Sequence, residues 1–107
     1  MSALRLVSGD WATLGEAAAR VRTEVFVGEQ RIPAELEWDA ADAQSLHCVV
    51  YDGEHAVGTG RLLPDAHIGR MAVLAGYRRR GVGSMILSEL VRTAAARGQA
   101  IAWHTLF

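Results

Sequence analysis

Three extended apolar segments, Leu46 to Tyr51, His55 to Leu63 and His67 to Leu74, follow one another with only Asp52-Gly53-Glu54 and Pro64-Asp65-Ala66 between them. An Asp-Gly dipeptide between such runs reverses the chain, because glycine supplies the positive φ of a tight hairpin. The pattern predicts a three-stranded antiparallel meander. Gly58 and Gly60 interrupt its middle strand, which points to a bulge or to close approach of a neighbouring backbone.

The flanking sequence predicts what packs against the meander. Leu4 to Val7 reads as a strand ending at Ser8-Gly9-Asp10, and Asp10 as the N-cap of a helix whose apolar stripe is Leu14, Ala18, Val21 and Val25. That helix is expected to stop near residue 27, with Gly28 as a left-handed C-terminal residue. From Glu29 to Ser45 the periodicity dissolves, leaving an ordered loop or a short helix. Val82, Ile86, Leu87, Leu90, Val91, Ala94 and Ala95 form a second stripe ending at Arg97-Gly98, and Gln99 to Leu106 reads as a last strand. The expected order is βα-βββ-α-β, one domain over residues 1–107.

Composition excludes several classes. With 107 residues, 50% hydrophobic and 21% charged, the chain has the profile of one globular domain rather than a disordered or repetitive one. No run approaches a membrane span, and the opening residues carry no signal-peptide core, so a cytoplasmic location is expected. The net charge of −1 argues against nucleic acid or a membrane surface as a partner. The single cysteine, Cys48, sits among Leu46, Val49 and Val50 and reads as a buried thiol. Glu29 to Asp42 holds five acids against Arg31, whereas Arg78, Arg79 and Arg80 are consecutive.

Chemistry concentrates where strand Met71-Ala72-Val73 leads to Arg78-Arg79-Arg80-Gly81-Val82-Gly83-Ser84 at a helix start. A helix N-terminus presents orphan N–H groups and partial positive charge, and Gly81 and Gly83 leave room for phosphate oxygens. A polyphosphorylated ligand is expected. A dinucleotide fingerprint would need a third glycine where Ile86 stands, and a P-loop would need a lysine the chain lacks.

These residues resemble the GNAT (Gcn5-related) N-acetyltransferases, in which Arg78-x-x-Gly81-x-Gly83 looks like the acetyl-CoA signature. The segments Arg22 to Gln30 with Pro33, Leu36 to Asp39, His47, Gly58 to Leu62 and Ile68 to Met71 look like the ElaA/YjcF-like branch over residues 4 to 104. The resemblance implies an α/β (α+β) fold, a mixed and mostly antiparallel sheet flanked by helices. It implies an N-acetyltransferase moving an acetyl group from acetyl-CoA, as co-substrate and without a metal, to the amine of a small molecule. Met71, Ala72 and Val73 would lie along the pantetheine arm with their amides toward its carbonyls, and Arg78, Arg79, Arg80, Gly81, Val82, Gly83 and Ser84 would hold the pyrophosphate. Met71 and Val73 facing the interior is compatible with that role, since neighbouring strand residues alternate in direction.

Amide formation needs a base for the acceptor amine. Glu24, Glu29, Glu37 and His47 are candidates; Glu29 comes first, because its acidic neighbours would attract a cation, and His47 second. His47 and His104 sit on apolar strands, where a hydrogen-bonded interior histidine is the competing reading. The four histidines lack metal-ligand spacing. Family members continue past the last strand with a helix and a closing hairpin, which this sequence is expected to lack, leaving the last strand as an edge that could pair with a second copy. The alternative function is therefore a non-catalytic CoA-binding remnant or a subunit completed by a partner chain.

Overall fold

The computed structural model describes residues 3–37 and 39–103. The strands are β1 (Leu4–Gly9), β2 (Leu46–Asp52), β3 (His55–Leu62), β4 (His67–Val73) and β5 (Ala102–Trp103), and they lie in one sheet in chain order. The first three pairings are antiparallel, and β5 runs parallel to β4 at His67 and Ile68. The helices are α1 (Trp11–Arg22), the short α2 (Ala34–Glu37) and α3 (Val82–Ala96). The expected meander is present, with Gly53 at φ 63 in its first turn. Of the expected last strand, His104 to Leu106 lie outside the described residues, as does the side chain of Glu37.

Asp10 caps α1 by accepting a 2.9 Å hydrogen bond from the Thr13 amide. Leu14, Ala18, Val21 and Val25 are all buried. The helix does not stop near residue 27. Thr23–Glu29 continues it with wider, π-helical bonding, seen where the Gln30 amide reaches the Val25 carbonyl at 2.9 Å. The wider turns consume extra residues, so the left-handed position falls on Arg31 (φ 59) rather than on Gly28. The stretch without periodicity resolves into α2 and a 3-10 turn, Ala40–Gln44, capped by the Asp39 carboxylate.

Helix α3 lies against β2 and β3 with Val82, Ile86, Leu90 and Ala94 buried. The glycines of β3 admit it: a Cβ on Gly58 would come within 2.5 Å of Val82 Cγ1, and one on Gly60 within 2.6 Å of Ile86 Cγ2. Side chains of α3 approach them most closely, and the backbone carbonyl of Ala72 on β4 lies 3.5 Å from the Gly58 Cβ position. On the opposite face Arg61 meets Asp42, which also pairs with Arg22 of α1, so the two helices cover opposite sides of the sheet.

The β3–β4 register slips once, since Thr59 faces Ala72 whereas Arg61 faces Gly69. One extra residue of β4 is therefore accommodated opposite Gly60, and Arg70 takes φ 50 there. The bulge falls just before Met71, and the described β5 residues pair only at the start of β4.

Candidate functional site

Past the bulge, one edge of β4 pairs with β3, and the other pairs with no strand among the described residues. The Leu74 amide donates to Val57 of β3 at 2.9 Å, while the Val73 carbonyl accepts from Arg78 Nε at 3.0 Å on the other side. A strand residue sends its N–H and C=O to the same edge, so the Val73 amide also faces away from β3. A depression of about 310 Å³ opens there, lined by Val25, Glu29, Gln30, Met71, Ala72, Val73 and Arg78. A second, of about 300 Å³, shares Val73 and Arg78 with the first and continues over Tyr77, Arg79, Gly81, Val82, Gly83 and Ser84. Together they make a groove from the end of the π-helical segment to the start of α3.

The floor of the second depression is the N-terminus of α3. Gly81 stands at its N-cap with φ 81, a conformation that strains any residue with a Cβ, and no side chain caps the helix. Nothing lies within 4 Å of where a Gly81 Cβ would be, and a Gly83 Cβ would meet only Val73 Cγ2 at 4.0 Å. The first-turn amides thus open onto space at the positive end of the helix. Arg79 (φ 62) bends the loop, and the Arg80 guanidinium lies 4.7 Å from the centre of the Tyr77 ring. The Tyr77 hydroxyl donates to Asp52 at 2.5 Å, tying this loop to the β2–β3 hairpin.

The residues expected to bind phosphate and those expected to take a proton meet at the shared wall. Arg78 forms two bonds to Glu29, Nη1 to Oε1 at 2.8 Å and Nη2 to Oε2 at 2.9 Å. That hydrogen bonding holds the Glu29 carboxyl below the ordinary carboxylate range. Glu24, on the same segment, is not among the groove-lining residues.

His47 lies elsewhere. It is buried under Trp11, with ring centres 4.9 Å apart, and its Nε2 sits 2.9 Å from the Asp42 carbonyl. Burial holds its pKa below the usual histidine value. Cys48, next along β2, is fully buried, and its thiol is pushed up to about 12 by burial, as expected of a packing residue.

The sequence reading missed a buried ion network. Asp42 accepts from Arg22 and Arg61, and Asp39 from Arg61 and Arg70. The acid-rich segment is thus not an open field for a cation, because two of its five acids are spent on interior arginines. One signal was available: Arg22 falls four residues after Ala18, on the apolar stripe. Among the described residues no three His, Cys, Asp or Glu side chains are grouped to hold a metal, and no helix is long and apolar enough to cross a membrane.

Residues 11–106 match the family model described as acetyltransferase (GNAT) family. The chain is 47% identical over 81 residues to the uncharacterized N-acetyltransferase YjcF of Bacillus subtilis (strain 168), covering 73% of this chain and 58% of YjcF. It is 33% identical over 87 residues to the uncharacterized protein YyaT of the same organism, covering 76% and 59%. The chain therefore spans just under three fifths of these curated relatives. Among solved structures it is similar to Escherichia coli ElaA, with TM-score 0.77 and 23% identity over 88% of this chain and 71% of ElaA. It is also similar to the aminoglycoside N-acetyltransferase AAC(6')-Iy in complex with CoA, with TM-score 0.76 and 16% identity over 98% of this chain and 78% of that one. At these identities the structural likeness concerns the fold.

Proposed function

The chain belongs to the acetyltransferase (GNAT) family, and from that premise we propose that it carries the donor-binding groove of an enzyme that moves an acetyl group from acetyl-CoA to an amine of a small molecule. The observation that carries this reading is a single groove joining an uncapped helix N-terminus, rimmed by arginines, to an open strand edge at Val73. An uncapped N-terminus suits phosphates, and a backbone edge with no strand beside it among the described residues suits an amide-bearing arm laid there as an added strand.

When bound, acetyl-CoA supplies the acyl group as a thioester together with the phosphates that anchor it. The space over Gly81 and Gly83, which a Cβ would enter, fits those phosphates. Arg78, Arg79 and Arg80 supply the countercharge, and the amides of Gly81, Val82, Gly83 and Ser84 the hydrogen bonds. Met71, Ala72 and Val73 form the edge along the arm, where the Val73 N–H is a fixed donor for an oxygen that gains negative charge during transfer. Glu29, across the groove, accepts the proton of the acceptor amine directly or through water.

The test is calorimetry of CoA with the purified chain, followed by thiol release from acetyl-CoA with a panel of small amines. Amine-dependent thiol release supports the enzyme. CoA binding without turnover for any amine supports the alternative, a binding module or a subunit completed by a partner chain. Absence of CoA binding overturns both.

A further inference from the structure

Arg78 stands in two roles that compete for its two-pronged face. Its Nε donates to the Val73 carbonyl and its two terminal nitrogens to Glu29, so all three nitrogens of the guanidinium are engaged inside the groove. The same side chain lines both depressions and opens the loop that leads to the uncapped start of α3. A phosphate seated at that helix start draws on the same guanidinium, because Arg binds phosphate by the same two-pronged geometry it uses for carboxylate. The two side chains of the pair are each 42% exposed, and an ion pair that open is weak enough to be exchanged.

We infer that Arg78 is an exchange point: in the free protein it holds Glu29, and on arrival of CoA it passes to a phosphate oxygen and leaves the Glu29 carboxylate to the groove. The inference rests on the donor-binding reading above and adds an order of events to it. Glu29 is occupied while the donor site is empty and becomes available to an amine once the donor is seated. Among the described residues, Arg78 is the charged group that faces Glu29. Val25 and Gln30 on its own segment, and Met71, Ala72 and Val73 on β4, line the same depression and carry no titratable group.

The experiment is a double-mutant cycle in CoA affinity, read by calorimetry on the parent, Glu29→Gln, Arg78→Gln and the double variant, with Glu24→Gln as a charge control. Removing Glu29 frees Arg78 in advance, so Glu29→Gln is expected to tighten CoA by roughly 1.5- to 5-fold, the range that exposed ion pairs support. Glu24→Gln removes the same charge from the same segment and is expected to fall short of that gain. In the Arg78→Gln background the Glu29 effect is expected to vanish. Inorganic pyrophosphate, used alone, is expected to show the same tightening, since the competing group is a phosphate. As a second readout, the carboxyl carbon of Glu29 is expected to titrate at higher pH with CoA bound than without.

Unchanged or weaker CoA binding by Glu29→Gln overturns the exchange, as does an equal gain in the Arg78→Gln background or from Glu24→Gln. Pyrophosphate that binds Glu29→Gln no tighter than the parent overturns phosphate as the competitor, and a Glu29 titration unmoved by CoA overturns its release. A parent chain that does not bind CoA overturns the donor-binding reading itself and the exchange with it, so the two failures are distinct.

Discussion

Arg22 and Asp42, twenty residues apart in sequence, form a bidentate ion pair inside the protein, Nη1 to Oδ1 at 2.8 Å and Nη2 to Oδ2 at 3.0 Å. Both side chains are almost wholly withdrawn from water, at 1% and 5% exposure. Asp42 is shared, since Arg61 reaches the same Oδ1 at 2.9 Å. The pair joins α1 to the 3-10 turn before β2, so this irregular segment is fastened by charge where it has little apolar surface to bury.

Sharing sets the order of mutational cost. Asp42→Ala leaves two buried guanidiniums without the carboxylate they have in common, and is expected to cost ~3–5 kcal/mol. Arg22→Met leaves Asp42 with Arg61 and puts an apolar chain in an interior position, so its cost is expected to be the smaller. Urea denaturation midpoints at constant slope check the order. A larger loss for Arg22→Met would show that Asp42 is not the hub.

His47 ties stability to pH in a different window from the carboxylates. Burial disfavours its imidazolium, and Arg22 and Arg61 disfavour it further, so its folded-state pKa is lowered from 6.5. A group with a lowered pKa stabilises the fold fully above its unfolded value and loses that contribution as pH falls through the folded one. Stability is therefore expected to decline below pH 6.5, by at most ~1.4 kcal/mol per pH unit for one proton. Asp39, held low chiefly by its hydrogen bond to Arg61, adds its own loss only below 3.8. Denaturant titrations from pH 7.5 downward check this: His47→Gln should flatten the upper window and leave the acid one in place.

Gly60 and Ile86 set the distance between β3 and α3. A Cβ on Gly60 would stand 2.6 Å from Ile86 Cγ2 and 3.2 Å from Met71 Cγ, so Gly60→Ala is expected to destabilise by ~1–3 kcal/mol. Ile86→Ala alone opens a void and is expected to cost ~2–5 kcal/mol. Combined, the added methyl enters the vacated space, and the double variant should lose less than the sum. Additive losses would place the conflict at a neighbour other than Ile86.

How much of this was legible beforehand follows the range of the interactions. The meander, the Asp10 cap, the first apolar stripe, the Val82, Ile86, Leu90 and Ala94 row of the second and the Gly98 stop are local signals, decided by turn residues and by periods of two and 3.6, and they stand where the sequence puts them, whereas Val91 and Ala95, expected on the second stripe, are exposed. The π-helical continuation past Arg22 is not local. It depends on how Thr23–Glu29 packs against β4, and no residue type announces it. The groove's parts were legible as a Gly-x-Gly helix start and a preceding strand, but the Glu29–Arg78 pair joins residues 49 apart and was not. The ion network was hidden for a related reason: in sequence, Asp39 and Asp42 read as a solvated acidic run, and only the return of β3 with Arg61 pairs both of them, with Asp42 inside and Asp39 at the surface.

Gly83 offers the cleanest separation of binding from folding. It lies in the first turn of α3, and a side chain there would meet nothing closer than Val73 Cγ2 at 4.0 Å. Gly83→Val is therefore expected to fold with nearly parental stability, whereas Gly81→Ala, at φ 81, carries a strain of ~1–2 kcal/mol. The empty space over Gly83 is also where a phosphate would sit against the helix amides, and a branched side chain fills it. CoA affinity of Gly83→Val is expected to drop at least ~10-fold, or ~1.4 kcal/mol. Calorimetry beside a denaturant curve reads both quantities on the same preparation. Parental affinity in a folded Gly83→Val protein would place the phosphates away from the α3 N-terminus and remove the basis for the groove as a donor site.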